Sequence, residues 1–241
     1  MTAPQPWDRY LTARDHRVRE LAGLGRRQGL GRRPALLVID VTTNFCGEKR
    51  EPLLDSIRRW RNSCGEAAWD AVDRIAGLLA LARTLEVPVL YSAGLDTGGN
   101  PVLSGRWRDK NSRRDEDSDP GRAGGHDIVA PIAPRPGEIV VRKTKPSVFH
   151  GTPLASFLVD LGVDSLVVCG GSTSGCVRAT VVDAFSANYR VTVAGDACFD
   201  RFDASHAMTL FDLDQKYADV TTAARAGEAL QSLHGGAPAD D

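Results

Sequence analysis

The chain alternates between short apolar runs and longer stretches whose apolar residues recur with helical spacing. The apolar runs predict six strands, at residues 34–40, 87–94, 138–143, 165–170, 190–197 and 217–222. The helical spacing predicts helices at residues 67–84, 152–162, 173–189, 203–214 and 222–233. Runs without a polar alternation are typical of parallel strands that are buried on both faces.

This order of elements predicts the α/β class. A strand, a helix and the next strand in succession favour right-handed crossovers and a parallel sheet. We therefore expect a three-layer αβα sandwich with a mostly parallel sheet of roughly six strands. In such sheets, ligands bind beyond the carboxyl ends of the strands.

Three regions differ in character. Residues 1–33 are polar and rich in Arg, with helical periodicity from Trp7 to Leu24, and are interpreted as a solvated arm that contains a helix. Residues 34–235 are expected to form one domain, and residues 236–241 a flexible tail. Residues 95–130 are rich in Gly, Asp, Arg and Pro, and loops of this length are usually functional or mobile. We expect this segment to cover the site, although the sequence leaves open whether it acts as a lid.

Composition narrows the function classes. The 241 residues carry a formal net charge of −1, which implies no overall attraction to nucleic acid or to an anionic membrane. The five cysteines are odd in number and contain no CxxC pair, so neither a disulfide framework nor a zinc site is expected. The sequence has no long apolar segment and no signal-peptide pattern. We therefore expect a cytoplasmic protein with reduced thiols.

Three reactive side chains follow three predicted strands. Asp40 ends the first strand, Lys143 ends the third, and Cys176 comes shortly after the fourth, where a helix begins. If the strands are parallel neighbours, all three reach the same edge of the sheet. A carboxylate, an ammonium and a thiol together describe an activated nucleophile.

The expected chemistry depends on the thiolate, which is the reactive form of cysteine. A neighbouring Lys143 ammonium and a helix N-terminus should both lower the pKa of Cys176. Asp40 can take the thiol proton and pass it to a leaving amine. The small residues Gly170, Gly171 and Ser172 would let backbone N–H groups converge into an oxyanion hole.

Other interpretations of the same residues stay open. A cysteine at a helix start is often a small buried apolar residue, and Asp40 could cap a turn. Lys143 could lie on the surface, with Lys145 or Arg142 in its place. Among the remaining cysteines, Cys169 is expected in the core, while Cys46 and Cys198 are expected in loops near the site.

Four segments of the chain together resemble a known family. "PALLVIDVTTNF", "RKTKPSVFHGTPL", "VVCGGSTSGCVRATVVDA" and "YRVTVAGDACFDR" are similar to the isochorismatase-like cysteine hydrolases, most of all to the N-carbamoylsarcosine amidohydrolase branch. The resemblance covers residues 34 to about 220. It implies the isochorismatase-like hydrolase fold and a catalytic triad of Asp40, Lys143 and Cys176, with Lys143 rather than Lys145 matching the family pattern.

The resemblance also implies the surroundings of the nucleophile. A non-proline cis peptide bond is expected between Gly171 and Ser172, and the N–H groups of Ser172 and Cys176 are expected to form the oxyanion hole. Phe45 matches a position that lines the pocket, with Asn44 beside it. Arg201, or its competitor Arg178, is a candidate for binding a substrate carboxylate or carbonyl, because Arg pairs bidentately with such groups.

Departures from relatives refine the expected function. Nicotinamidases of the resembled fold hold a metal ion with an Asp and spaced histidines after the second strand. Here Asp96 has no histidine near it in sequence until His126. We therefore expect no metal, no cofactor and no nicotinamidase activity. His126, His150 and His206 are interpreted as structural or lid residues. The expected activity is cysteine-dependent hydrolysis of a small linear amide or ureido compound such as N-carbamoylsarcosine, releasing ammonia through a thioester. Maleamate, ureidoacrylate or a biuret-type amide is the alternative substrate, and a non-catalytic binding domain is the alternative function. Relatives imply a homotetramer or homodimer.

Overall fold

A computed structural model of the chain describes residues 5–98, 100–110 and 124–235. One sheet of six parallel strands forms its centre, in the order β3-β2-β1-β4-β5-β6. The strands are β1 (Pro34–Ile39), β2 (Val89–Gly94), β3 (Ile139–Lys143), β4 (Ser165–Gly171), β5 (Arg190–Phe199) and β6 (Asp219–Thr221).

Helices connect the strands and flank the sheet. They are α1 (Ala13–Ala22), α2 (Thr43–Cys46), α3 (Leu53–Arg59), α4 (Glu66–Thr84), α5 (Pro101–Ser104), α6 (Trp107–Lys110), α7 (Leu154–Asp160), α8 (Arg178–Ser186), α9 (Asp203–Lys216) and α10 (Ala223–Gly235). A π-helical turn, Thr173–Val177, precedes α8, and 3₁₀ turns lie at Asp8–Tyr10 and Ala130–Ile132.

Alternate residues of the central strands face two separate cores. From β1, Leu36 and Val38 pack with α4 and α10 on one face, whereas Leu37 and Ile39 pack with α7, α8 and α9 on the other. Because both faces are covered, every residue of β1 is buried. The predicted α/β class and three-layer arrangement are confirmed, and within the described residues the sheet is entirely parallel.

The N-terminal arm is more closely attached than its polar sequence indicates. Helix α1 buries none of its residues and is shorter than the periodicity from Trp7 to Leu24 predicts. Trp7, however, is 1% exposed and packs against Phe211 of α9. Arg27 forms an ion pair of 2.8 Å with Asp214, whose side chain is fully buried.

Other differences from the predicted elements concern ends and short helices. Strands β4 and β5 run to Gly171 and Phe199, so Cys198 lies within a strand rather than in a loop. The sequence did not predict the short helices α2 and α3, and Cys46 is the last residue of α2. The segment 95–130 holds two short helices at its start. Its residues 111–123, and the expected tail at 236–241, lie outside the described residues.

Two smaller expectations can be compared directly with the structure. The five cysteines are unpaired in the structure. Cys169 is fully buried in β4, and its predicted core position is confirmed. In the described part of the chain, none of the helices combines the length and the apolar character needed to cross a membrane.

Candidate active site

Three strand ends bring the expected reactive residues to one edge of the sheet. Asp40 follows β1 directly, Lys143 is the last residue of β3, and Cys176 lies in the π-helical turn after β4. Strand β1 lies between β2 and β4, so Lys143 reaches Asp40 across the end of β2. Asp40 has a φ of 47°, a region that aspartate enters more readily than most residues.

The three side chains are in direct contact and almost fully buried. Lys143 Nζ donates hydrogen bonds to Asp40 Oδ2 at 2.6 Å and to Cys176 Sγ at 3.3 Å. A further bond from Nζ to the Lys145 carbonyl, at 3.1 Å, fixes the ammonium. Asp40, Lys143 and Cys176 are 3%, 7% and 4% exposed. The structure thus brings together the triad that the sequence predicts, and Lys145 supplies only its carbonyl oxygen.

The second oxygen of Asp40 is held by a residue that the sequence analysis did not single out. Ser92 Oγ, in β2, donates a hydrogen bond to Asp40 Oδ1 at 2.7 Å. Ser92 Oγ in turn accepts a bond from the Asp40 N–H at 3.2 Å. A usable signal was present, because Ser92 interrupts an apolar strand and a buried hydroxyl needs a partner.

The end of β4, shortly before Cys176, contains glycines because its backbone lies against neighbouring strands. Gly170 has a φ of 110°, and a Cβ atom there would lie 2.1 Å from the Ile39 carbonyl oxygen. A Cβ atom at Gly171 would lie 2.2 Å from the Phe199 ring. The peptide bond between Gly171 and Ser172 is cis. These contacts give the small residues a packing reason in addition to the one expected from an oxyanion hole.

The turn that carries Cys176 is π-helical rather than the start of a regular α-helix. The Val177 N–H bonds to the Ser172 carbonyl at 3.2 Å, which is the wider spacing of such a turn. Short π-helical segments are frequent at functional sites. The regular helix α8 begins only at Arg178, so Cys176 lies before its first turn.

Side chains from the end of β5 and from α9 anchor this turn. Thr173 Oγ1 donates to the Phe199 carbonyl at 3.0 Å and lies 2.8 Å from His206 Nδ1. Ser174 donates both its N–H and its hydroxyl to Asp200, each at 2.7 Å. The sequence did not identify Asp200 or the role of His206, because the partners are separated by more than twenty residues and meet only through the fold.

The electrostatics of Cys176 differ from the expectation of a lowered pKa. Burial, followed by the charge of Asp40, raises the pKa of the Cys176 thiol to about 12, although Lys143 acts in the opposite direction. Burial alone would lower the pKa of Lys143, but the charge of Asp40 and the contacts with Asp40 and Cys176 more than offset this effect and raise it. These effects favour a protonated thiol beside the carboxylate–ammonium pair.

Phe45 and Arg201 meet at the same edge of the sheet. The Arg201 guanidinium lies 5.7 Å from the centre of the Phe45 ring, within the range of a cation–π contact. Arg201 Nη2 also donates to the Asn62 carbonyl at 2.7 Å. Phe45 follows Asp40 by five residues, and Arg201 follows Phe199, whose ring covers Gly171. Arg201 is thus held beside Phe45 and Asn62.

Asn44 and Arg178 have different surroundings. Asn44 Nδ2 lies 3.4 Å from His126 Nδ1, and the Asn44 N–H bonds to the Gly125 carbonyl at 2.8 Å. Arg178 lies on the exposed side of α8, with Nη2 3.9 Å from the Asp212 carboxylate of α9. Of the two arginines predicted for substrate, only Arg201 contacts another of the predicted pocket residues.

His126 returns to the end of β2, although it is distant from Asp96 in sequence. A Cβ atom at Gly94 would lie 2.1 Å from His126 Nδ1, so the glycine makes room for this ring. Over residues 5–98, 100–110 and 124–235, no group of three or more His, Cys, Asp or Glu side chains is arranged to hold a metal ion.

Comparison with known proteins agrees with this geometry. A family model described as the isochorismatase domain matches residues 34–225. The chain belongs to the isochorismatase family. The match begins at β1 and ends in α10, so it spans every strand of the sheet.

Relatives within the isochorismatase family are named amidohydrolases. The chain is 36% identical over 214 residues to the maleamate amidohydrolase of Pseudomonas putida, covering 88% of this chain and 93% of that protein. It is 30% identical over 215 residues to the N-carbamoylsarcosine amidase of an Arthrobacter species, covering 88% and 76%. The expectation of a hydrolase acting on carbon–nitrogen bonds agrees with these relatives.

A solved structure supports the isochorismatase-family fold independently. A cysteine hydrolase from Pseudomonas syringae pv. phaseolicola superposes with a TM-score of 0.75 at 25% identity, covering 86% of this chain and 97% of that one. The predicted fold and the resemblance stated from the sequence are therefore both confirmed.

Proposed function

We propose that this isochorismatase-family chain is a cysteine-dependent amidohydrolase that releases ammonia from a small linear amide. The observation that carries the proposal is the contact of Lys143 Nζ with both Asp40 Oδ2 and Cys176 Sγ, at 2.6 and 3.3 Å. A base, a cation and a thiol in one buried cluster are the groups that nucleophilic acyl transfer requires.

The proposed reaction begins with a proton transfer. Asp40 accepts the proton of the Cys176 thiol, and the sulfur attacks the amide carbonyl to form a carbon–sulfur bond. The N–H groups of Ser172 and Cys176 hold the developing oxyanion, and Lys143 balances the negative charge. Ammonia leaves with the proton from Asp40, and the carbon–nitrogen bond breaks.

Water completes the cycle. Asp40 takes a proton from a water molecule, which attacks the thioester carbonyl, and the sulfur recovers a proton as the acid product leaves. The net change is one amide and one water converted to one acid and one ammonia. Since the free thiol has a raised pKa, the role of Asp40 is to remove the proton during attack.

We propose that the substrate carries a carboxylate and that Arg201 binds it. The Arg201 guanidinium lies over the Phe45 ring, and its Nη2 donates to the Asn62 carbonyl. A guanidinium suits a carboxylate because the two groups can form parallel hydrogen bonds. Asn44 is proposed to line the same pocket. Arg178 is the weaker candidate because its guanidinium faces Asp212.

Three carboxylate-bearing amides are the leading candidate substrates. Identity of 36% to a maleamate amidohydrolase, against 30% to an N-carbamoylsarcosine amidase, favours maleamate as the first to test. N-carbamoylsarcosine is the second, and after ammonia has left, the N-carboxylated sarcosine that remains would decay to carbon dioxide and sarcosine. A ureidoacrylate amidohydrolase from Variovorax paradoxus, 29% identical, makes ureidoacrylate a third.

Ammonia release from these three amides tests the proposal. We expect turnover of at least one, and its loss in Cys176→Ala with the circular dichroism spectrum unchanged. Trapping a covalent acyl adduct at Cys176 by mass spectrometry would support the thioester directly. Turnover that survives in Cys176→Ala would overturn the mechanism. Binding of the amides without turnover would favour the alternative of a binding domain.

The expected homo-oligomer stays a prediction, which light scattering after size-exclusion chromatography can check.

A further inference from the structure

Ser92 lies beneath the triad, in the strand that separates its two charged members. Strand β2 is the neighbour of both β1 and β3, and Ser92 pairs in register with Ile39, the residue before Asp40. The serine is 1% exposed, so its hydroxyl must find partners within the protein.

Both partners of this hydroxyl belong to Asp40. Ser92 Oγ accepts from the Asp40 N–H at 3.2 Å and donates to Asp40 Oδ1 at 2.7 Å. The hydroxyl thus links the backbone and the carboxylate of one residue. Its single proton is directed at Oδ1, while Oδ2 faces Lys143 at 2.6 Å.

We propose that Ser92 is a positioning residue that assigns separate tasks to the two carboxylate oxygens of Asp40. Oδ1 is held by the Ser92 hydroxyl, and Oδ2, which faces Lys143, is left to exchange the proton. The inference rests on the proposed function, in which Asp40 transfers protons. Without the hydroxyl, the carboxylate could rotate and would lose a donor that stabilises its charged form.

The strand pairing between β1 and β2 does not by itself explain why residue 92 is a serine. The Asp40 N–H also bonds to the Ser92 carbonyl at 3.1 Å, so the strand pairing persists when the side chain is removed. A hydroxyl that only filled space would affect stability but would leave the pH dependence of catalysis unchanged. These two roles therefore predict different results.

The test compares Ser92→Ala and Ser92→Thr with the wild type, using the amide that the wild type hydrolyses. For Ser92→Ala we expect kcat to fall about 10- to 100-fold, the range for losing a hydrogen bond to a charged group. We expect KM to change less than about threefold, because no substrate contact is removed. The acidic limb of the kcat/KM profile should move to higher pH, since an unsupported carboxylate takes up its proton more readily. Ser92→Thr keeps the hydroxyl and should retain the wild-type limb.

Ser165→Ala is the matched control. Ser165 is also a fully buried strand serine, at the amino end of β4, and its hydroxyl oxygen accepts a bond from the Gly31 N–H at 3.0 Å. We expect this variant to lower stability without moving the pH profile. An unmoved acidic limb in folded Ser92→Ala, or the same shift in Ser165→Ala, would overturn the inference.

A readout that does not need turnover separates this inference from the proposed function. The Asp40 carboxyl carbon can be titrated by NMR in protein labelled with ¹³C-aspartate, with Asp40→Asn identifying the signal. We expect its midpoint to rise in Ser92→Ala. If no amide is hydrolysed but the midpoint rises, the proposed function is wrong and the positioning stands. If amides are hydrolysed and the midpoint is unchanged, the positioning is wrong.

Discussion

Lys143 and Asp40 form an ion pair of 2.6 Å in a part of the protein where both side chains are almost fully withdrawn from water. Coulombic attraction is strong in such surroundings, so each charge is largely balanced by the other. The nearby Cys176 thiol therefore receives little net help from the ammonium, and burial dominates its pKa. The pair prepares the site for proton transfer rather than for a standing thiolate.

Alkylation of Cys176 can test this protonation state. Because the pKa of the thiol is raised to about 12, iodoacetamide should react slowly near neutral pH and faster as the pH rises. Asp40→Asn removes a charge that raises this pKa and leaves Lys143 to attract the thiolate. We expect alkylation about tenfold faster in Asp40→Asn, while amide hydrolysis is lost. Lys143→Gln should slow alkylation, since Lys143 lowers the thiol pKa.

The control for this experiment is Cys176→Ala, which gives the background from the other cysteines. Burial raises the pKa of each of these, so the background should be low; they are Cys46, Cys64, Cys169 and Cys198. Peptide mapping assigns the label. Slower alkylation in Asp40→Asn would contradict the inferred protonation state.

Substitution of Arg201 tests how the substrate is recognised. Arg201→Ala should raise KM for maleamate at least about tenfold and change kcat less, because the carboxylate contact exists before and during the reaction. The companion Arg178→Ala should have little effect, since Arg178 lies on the exposed side of α8 near Asp212. A larger effect on KM from Arg178→Ala would reverse the assignment. A neutral amide of similar size should be insensitive to either change.

The hydrophobic pattern was sufficient to predict most of the fold. Uninterrupted apolar runs such as "ALLVI" in β1 define buried parallel strands, and their order with the helices leaves few topologies. The same pattern located Asp40, Lys143 and Cys176, because charged or reactive residues at strand ends are easily recognised. The pattern does not predict the short helices α2 and α3, because four and seven residues are too few to show a clear helical period.

Properties that depend on three-dimensional neighbours could not be predicted. The raised pKa of Cys176 follows from its burial and from the pairing of Lys143 with Asp40. Neither the burial nor the ion pair is determined by residues that are close in sequence. The π-helical turn likewise depends on contacts of Thr173 and Ser174 with the end of β5. His126 is distant from the end of β2 in sequence, yet the fold places its ring against Gly94.

Gly170, near the end of β4, is predicted to be indispensable for the backbone that leads to Cys176. Its φ of 110° and the 2.1 Å separation that a Cβ would have from the Ile39 carbonyl leave no room for alanine. We expect Gly170→Ala to lower the free energy of unfolding by at least about 2 kcal/mol, measured by urea denaturation. Gly77→Ala is the control, because Gly77 lies on the exposed side of α4 with nothing near its Cβ. That substitution should stabilise the helix by up to about 1 kcal/mol.

The ion pair between Arg83 and Glu138 should make stability depend on pH. Arg83 Nε and Nη2 donate to the two Glu138 oxygens at 2.8 and 2.9 Å, joining α4 to the start of β3. Burial alone would raise the pKa of Glu138, but the bonds from Arg83 and from the Arg135 N–H lower it overall. Because the folded-state pKa of Glu138 is lowered, the ionised side chain stabilises the fold at pH values above its unfolded-state pKa, about 4.3. This contribution is lost as the pH falls through the folded-state pKa.

Urea denaturation should therefore show Glu138→Gln destabilised by about 1–3 kcal/mol near neutral pH and by less in acid. Glu48→Gln, in the exposed pair with Arg59, should show little change at either pH, and an equal loss for Glu138→Gln at both pH values would rule out the linkage.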